Sequence, residues 1–327
     1  MTNAKQKWSA VSGWMTRHNI RSIYILIICY VILVSLINHS FLTASNWMNL
    51  LRQVAVYGII SCGITFVMLT GRTDLSAGMM LTFLSCISCY FVTPNVENQV
   101  LAILVPLGLG LVGGLLNGIL VGVIRLNSFV STLGMMSLYT GAVLLFLKKN
   151  TSLFGSQDMN FYKFLGQGSV LGIPMPVIIL IVVAVLCSLI LKKTVYGARI
   201  YAVGSNAVNA RFSGIHSTGI IVSAYTISGL LTGLASVVMC SRIMSAQPKM
   251  GSGYEFTALT AIVLGGLSIQ GGKGTILGTL IGVLILGIID NSFTIMGLDA
   301  NLQYIVKGAI LAIAVAVQIR SEKRAGL

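Results

Sequence analysis

The sequence has little charge and almost no acid. Only 9% of its 327 residues are charged, with seven Asp plus Glu against 21 Lys plus Arg, where soluble domains carry roughly 25% charged residues. That scarcity excludes a soluble globular protein, as do the 56% hydrophobic content and the mean hydropathy of +0.92. The formal net charge of +14 does not make a nucleic-acid binder. Such proteins gather Lys and Arg on a polar face, whereas here they stand in short tracts between apolar runs. No cofactor is expected. Three histidines and six cysteines show no metal-ligand spacing, and the C-x-x-C pair Cys86 and Cys89 lies in an apolar run without a second pair, as small buried residues do. Around Lys273 the phosphate-loop pattern fails, because Leu267 stands where its first glycine is needed and Gly274 follows the lysine. The glycines of 266–275 read instead as a tight turn that lets helices approach closely. The first twenty residues hold Lys5, Lys7, Arg17 and His18 but no apolar run with a cleavage site, so 1–21 reads as a retained cytoplasmic tail.

Apolar runs are present throughout. A window of about twenty residues places transmembrane helices near 22–39, 48–70, 76–93, 100–123, 128–147, 174–191, 219–241, 255–268, 275–294 and 302–319. The expected fold is therefore an all-α integral membrane protein of about ten helices, a single transmembrane domain over 22–319 with a cytoplasmic tail at 320–327. With the N-terminus inside, 14 of the 21 basic residues fall in cytoplasmic segments and only Lys148, Lys149, Lys163, Arg242 and Lys249 in external ones, as the positive-inside rule requires.

The long polar interruption at 192–218 carries Lys192, Lys193, Arg199 and Arg211 without an acid and belongs in the cytoplasm. Setting aside the first and sixth spans leaves four helices on either side of it in opposite orientation, two inverted halves. Each half has a break bounded by glycines seven apart, Gly71 with Gly78 and Gly271 with Gly278. Within the first, Asp74 or Ser76 suits the cap of the next helix, with Arg72 near to neutralise the carboxylate; the alternative is a polar element of a substrate path. Glu255 reads as an anchor of a helix at the external interface, and Asp290, Asn291 and Ser292 as a polar cluster near a helix end.

Four ordered motifs carry a resemblance over about residues 40–318: the break 71–78, the stretch NSFVSTLG at 127–134, the central TVYGARIYAVGSN at 194–206 with Arg211 and Gly214, and the block from Ser245 through Glu255 to Gly278. They resemble the membrane permeases of bacterial ABC importers for ribose and related monosaccharides. The resemblance implies a multi-pass protein of the bacterial cytoplasmic (inner) membrane, without catalysis of its own, that imports a monosaccharide such as ribose. Its implied partners are a cytoplasmic ABC ATPase, an extracytoplasmic sugar-binding protein, membrane lipid, and a second permease copy in a homodimer or a paralogous permease; nucleic acid is not among them. The ATPase-coupling loop would comprise Gly197, Arg199, Gly204, Asn206, Arg211 and Gly214. Its glycines would permit turns around a short docking helix, and its arginines would meet acidic residues of the ATPase or, alternatively, lipid headgroups. Candidates for the substrate path or the helix breaks are Asp74, Ser76, Asn127, Thr132, Glu255 and Asn291. This chain departs from the family's pattern at Arg72 and Thr73, at Thr257 and at Ser292. Autoinducer-2 or another small polar solute is the alternative cargo, and an ion-coupled secondary transporter the alternative class, opposed by the shortage of membrane acids.

Overall fold

The computed structural model describes residues 30–32, 34–147, 153–156 and 158–324; the expected tail 1–21 and most of the first span lie outside them. After a helical stretch at 30–32 and 34–37 come α1 (Ala44–Leu69), α2 (Ala77–Phe91), α3 (Gln99–Gly118, running on into a π-turn at Ile119–Val123) and α4 (Ser128–Phe146). Next are α5 (Asn160–Gln167), α6 (Met175–Lys193) and two short helices, α7 (Val195–Ser205) and α8 (Ala207–Phe212). The chain closes with α9 (Ser217–Ile243), α10 (Tyr254–Leu264), α11 (Ile276–Ile295) and α12 (Ala300–Arg324), so the expected tail from 320 is helical as far as Arg324. The protein is an all-α, multi-pass membrane protein. Strand pairing among the described residues is confined to two ribbons of two residues a side, Leu153–Phe154 with Ser245–Ala246 and Ser169–Val170 with Ile173–Pro174.

Caps set many boundaries. The side chains of Thr43, Asn98, Asn127, Thr194, Asn206 and Thr275 each accept a backbone N–H in the first turn of the helix that follows, satisfying donors that the helix itself leaves free.

Among the described residues seven helices are long and apolar enough to cross a membrane: α1, α3 with its π-turn, α4, α6, α9, α11 and the Asn301–Arg320 part of α12. The remaining apolar helices are short, 15 residues in α2 and 11 in α10. At about 1.5 Å per residue these reach roughly 22 and 16 Å, less than a hydrocarbon core of about 30 Å. Both are preceded by non-helical segments, 70–76 and 244–253, that supply the missing length.

The two halves match in order. The long helices α1 and α9 have 26 and 27 residues, each is followed by a short helix, and each short helix packs on the two helices after it, α2 on α3 and α4, α10 on α11 and α12. The halves also interlock: α9 packs on α1, α2 and α3, and α1 packs on α10 and α11. This pairing puts the helices at the middle of the bundle under the deepest cover, while α3, α4, α6 and α12 expose Leu104, Leu145, Ile181 and Ile313 as lipid-facing helices do.

Close packing of the halves rests on small residues. Gly110, Gly114 and Gly118 lie four apart on one face of α3, and a Cβ on them would meet the backbone of α9 at Gly229, Tyr225 and Val222 at 2.5, 2.3 and 2.8 Å. This is the small-residue spacing that lets membrane helices touch by backbone.

Loops segregate as the topology requires. Segments 70–76, 194–218 and 265–275 meet at one end, with 124–127 beside them. The opposite end joins 92–98, 153–156 and 244–246 through Ser156 N–H to Val92 O at 2.7 Å and Gly155 N–H to Met244 O at 2.9 Å.

Candidate functional site

At the end of the bundle where 70–76, 194–218 and 265–275 meet, α7 lies against the junction of the two glycine breaks. A Cβ on Gly204 would stand 1.8 Å from the Leu69 carbonyl oxygen, at the end of α1, and 2.5 Å from the Gly272 nitrogen. The same carbonyl accepts the Gly272 N–H at 2.9 Å. Gly271, at φ +90°, presses on Gly71, at φ +74°, with 2.5 Å between its Cβ position and the Gly71 nitrogen. Both φ values belong to the left-handed region that suits glycine. The Tyr201 hydroxyl donates to Gly274 O at 2.9 Å, and burial pushes its phenol above the usual range, so it stays protonated as a donor. Three backbones therefore cross with no side chain between them.

Two expectations change here. Gly197 and Gly204 do not permit turns: both lie inside α7 and allow close approach, and a Cβ on Gly197 would stand 2.2 Å from the Leu191 carbonyl oxygen. Only Gly214, at φ +79° with open space around it, serves a turn. Nor are the seven-residue glycine spacings equivalent in the two halves. The first break separates the first and second helices of its half, and the second break separates the second and third. They share a meeting place rather than an ancestry of position.

Asn206 ends α7 and caps α8, accepting from Val208 N at 3.0 Å and Asn209 N at 2.9 Å. Arg199 and Arg211 are both exposed but part company. Arg199 is on α7, whereas Arg211 joins Arg72 and Arg125 in a cleft of about 1070 Å³ beside α8.

Deeper in the bundle the polar candidates divide into two groups. Asp74 is fully covered; its Oδ1 accepts from the Ser76 N–H at 3.0 Å and hydroxyl at 2.7 Å, and its Oδ2 accepts from the Ser228 hydroxyl at 3.4 Å. Asn117 donates to Ser76 Oγ at 2.8 Å, and Thr132 Oγ1 accepts from Leu75 N at 3.2 Å. Asp74 thus holds the turn into α2, while Ser76, at the cap position, makes no cap bond. Arg72 points outward and forms no ion pair with it, so hydroxyls rather than a guanidinium satisfy this carboxylate. Asn127 is exposed and caps α4, accepting from Phe129 N at 2.9 Å.

Glu255 lies away from the external surface on which it was expected. It is buried and accepts from Gly253 N at 3.2 Å, and its Oε2 would be 1.8 Å from a Cβ on Gly78. Gly78 belongs to the first turn of α2, so a carboxylate of the second half covers the start of the first half's short helix, where the dipole favours negative charge. Gly251 N donates to Thr82 Oγ1 at 3.0 Å beside it. The extended segments before α2 and α10 therefore enter from opposite ends and meet inside the bundle.

The second group joins the N-terminal part of the chain to α11. Asn291 and Asn46 exchange amide bonds at 2.9 and 2.8 Å, and Asp290 pairs with Lys307 at 2.8 Å. Sequence reasoning missed Asn46, Asn117, Ser228 and Lys307. A single polar residue within its apolar run was the available signal for Asn117, whereas Asn46 stands among other polar residues before the expected 48–70 span. Among the described residues no group of three or more His, Cys, Asp and Glu could hold a metal ion.

Residues 46–315 match the family model described as branched-chain amino acid transport system / permease component. The chain is similar to the ribose import permease of Bacillus subtilis (strain 168), 41% identical over 199 residues, which is 61% of this chain and 62% of that protein. It is similar to the ribose import permease of Escherichia coli (strain K12), 37% identical over 226 residues, 69% of this chain and 70% of that one. An L-arabinose permease of Azospirillum brasilense is 38% identical over 202 residues, 62% of this chain and 59% of that one. The match thus spans less than two thirds of the Bacillus relative's length. No solved structure matches.

Proposed function

Because the chain belongs to the family of branched-chain amino acid transport system / permease components, we propose that it is the permease subunit of an ATP-driven ABC importer, carrying a monosaccharide of the ribose kind across the bacterial inner membrane. The printed names of its relatives support a sugar. Ribose is the first candidate, and autoinducer-2 or another small polar solute is the alternative cargo. A cytoplasmic ATPase docks on the 192–218 loop, a binding protein delivers the sugar from outside, and a second permease, identical or paralogous, completes the pore. Residues 1–21 and the end of the chain from 320 lie on the ATPase side. ATP hydrolysis belongs to the partner.

One observation carries the coupling: α7 is backed by the junction of both halves' breaks. A displacement of α7 bears on the Leu69 end of α1 through Gly204 and on the 265–275 turn through Gly272 and Gly274. Interiors packed by backbone contact pass on such displacements rather than absorb them. The same stroke therefore reaches both halves, as alternating access between inverted repeats requires. Arg199 offers its charge to acidic residues of the ATPase. The neutral, hydrated sugar finds few polar partners along the spans, so selection falls to the binding protein, since each unsatisfied group costs several kcal/mol.

Proteoliposomes test this reading. With the ATPase of the same operon, the matching binding protein and ATP, sugar should accumulate; the permease alone, under a proton or sodium gradient, should accumulate none. Ion-driven accumulation by the chain alone would establish a secondary transporter instead.

A further inference from the structure

The end of the bundle opposite the central stretch carries a small unit with apolar residues on its outside, α5 and the hairpin that follows it. α5 is seated firmly. Tyr162 is buried, its N–H donating to Gln99 Oε1 at 2.9 Å and its hydroxyl sharing a bond with Ser88 Oγ at 2.6 Å, and Gln167 Nε2 donates to Arg242 O at 3.1 Å. A Cβ on Gly166 would stand 2.2 Å from the Arg242 nitrogen, so the helix touches the end of α9 by backbone. Phe161 and Phe164, about one turn apart, remain 62% and 39% exposed. The Phe164 ring lies against Gly168, where the hairpin begins: Ser169–Val170 pairs with Ile173–Pro174, and the Met175 N–H closes on Gly168 O at 2.9 Å.

The tip of this hairpin is Leu171 and Gly172, at φ +52° and +81°. Two left-handed residues make a turn that hairpins favour, and asparagine or aspartate is the usual first member because its short polar side chain tolerates that backbone. Leucine adopts it at a cost, and with 98% of its surface exposed it recovers nothing from the rest of the chain. Depth supplies what it packs on. No charged residue stands between Val170 and Leu191, and α6 ends on Lys192 and Lys193. Its 19 residues reach about 28 Å, close to a hydrocarbon core of about 30 Å. With the lysines at one interface, the start of α6 and the hairpin joined to it stand at the other. α6 is itself a lipid-facing span, exposing Ile181, Val185 and Leu189 along one stripe. An apolar tip at that depth, on the entry to such a span, meets acyl chains, and it offers a soluble partner no charge to recognise.

We propose that α5 and the hairpin form an interfacial anchor, with Leu171, Phe161 and Phe164 in the headgroup and acyl boundary of the leaflet at that end. Apolar side chains on a short amphipathic element enter a bilayer in this way without crossing it. The anchor sets the depth of α5 and, through Gly166 and Gln167, of the end of α9, the helix that packs on α1, α2 and α3. The inference requires that the chain spans a membrane and is independent of what it transports.

Spin-label accessibility of the full-length permease in nanodiscs, where both faces are open to solvent, tests it. The protein is freed of its native cysteines, and a nitroxide is attached at Leu171→Cys, Val170→Cys or Gln247→Cys. At 171 and 170, collisions with oxygen should exceed those with a water-soluble nickel chelate severalfold. At Gln247, exposed in the loop 244–253 of the same end, the order should reverse. Adding Leu171→Asn, which suits the left-handed turn while removing the apolar tip, should lower the oxygen preference at 170 roughly threefold or more. A nickel preference at 171 equal to that at 247, or an unchanged preference at 170 in the Leu171→Asn protein, would overturn the proposal. So would a nitroxide at 171 shielded from both reagents, which marks a second copy of the chain at this face, or loss of the oxygen collisions when the matching binding protein is added, which marks a docking surface for it.

Discussion

Two places join the halves of this permease, and they do so by opposite means. Inside the bundle, where the segments before α2 and α10 meet, side chains make the join, Asp74 to Ser228 and Gly251 to Thr82, with Ser76 bonded to Asp74 and Asn117 to Ser76 from within the first half. At the end of the bundle that carries the central stretch the join is bare backbone, with Gly71, Gly204, Gly271 and Gly272 in direct contact. A hydrogen-bonded seam fixes one arrangement and weakens by degrees as its members are replaced. A backbone crossing has no side chain to trim and no room for one, so it passes displacement on and fails at the first added carbon. That contrast suits a fixed middle and a driven end.

The sharpest way to break the contrast is at Gly204. Gly204→Val places a Cβ 1.8 Å from the Leu69 oxygen, so α7 must lift off both breaks. ATP-driven uptake in vesicles should fall to background and the ATPase should not co-purify. The disturbance reaches the end of α1, so a lowered melting temperature should accompany it. Uptake above half of wild type would remove the crossing from the account.

Next in size is the charge of α7. Arg199→Glu should lower co-purification of the ATPase at least tenfold, since like-charge contacts across an interface cost several kcal/mol. Arg211→Glu, exposed on α8 of the same loop, should lower it as well, whereas Arg320→Glu near the end of the chain should leave co-purification within about twofold. Equal losses at all three would make the central stretch a determinant of orientation rather than a docking surface.

In the polar seam the expected effects are graded. Asp74→Ala strips the turn into α2 of its acceptor and should destabilise the protein by about 1–3 kcal/mol, with Asp74→Asn costing less because an amide oxygen still accepts from Ser76. Thermal unfolding in detergent measures both, and an alanine variant as stable as wild type would show that the seam holds nothing. Smallest of all is Gly214→Ala, at a turn with open space but φ +79°. It should cost about 1 kcal/mol and leave uptake nearly intact.

Much of this organisation was legible in the sequence. Span lengths gave the helix order because they follow from one solvent, the bilayer, and the distribution of Lys and Arg gave an expected sidedness from the same source. The central stretch stood out because it alone near the middle carries four basic residues and no acid. The crossings were not legible. With 36 glycines in the chain, nothing marks Gly204 as a contact rather than a turn; its role is fixed by Leu69 and Gly272, far away in sequence. Glu255 reads as an interfacial residue because an external loop precedes it, and only the dip of that loop toward Gly78 brings it inside. Asp74 suggests Arg72 as its partner by proximity along the chain, but the extended backbone between them turns the arginine outward and leaves the carboxylate to Ser228 on α9.

The measurement that tests the central claim most directly is a cross-link between α7 and the second break. In a permease freed of its native cysteines, Ser205→Cys and Lys273→Cys should be joined rapidly by a short bifunctional reagent, since the Ser205 side chain lies against Gly272. With α7 tied to the break, ATP-driven uptake should stop and should recover when a reducible link is cleaved. Failure of the pair to cross-link, or undiminished uptake by the linked protein, would contradict the claim that α7 drives both halves through their shared glycine crossing.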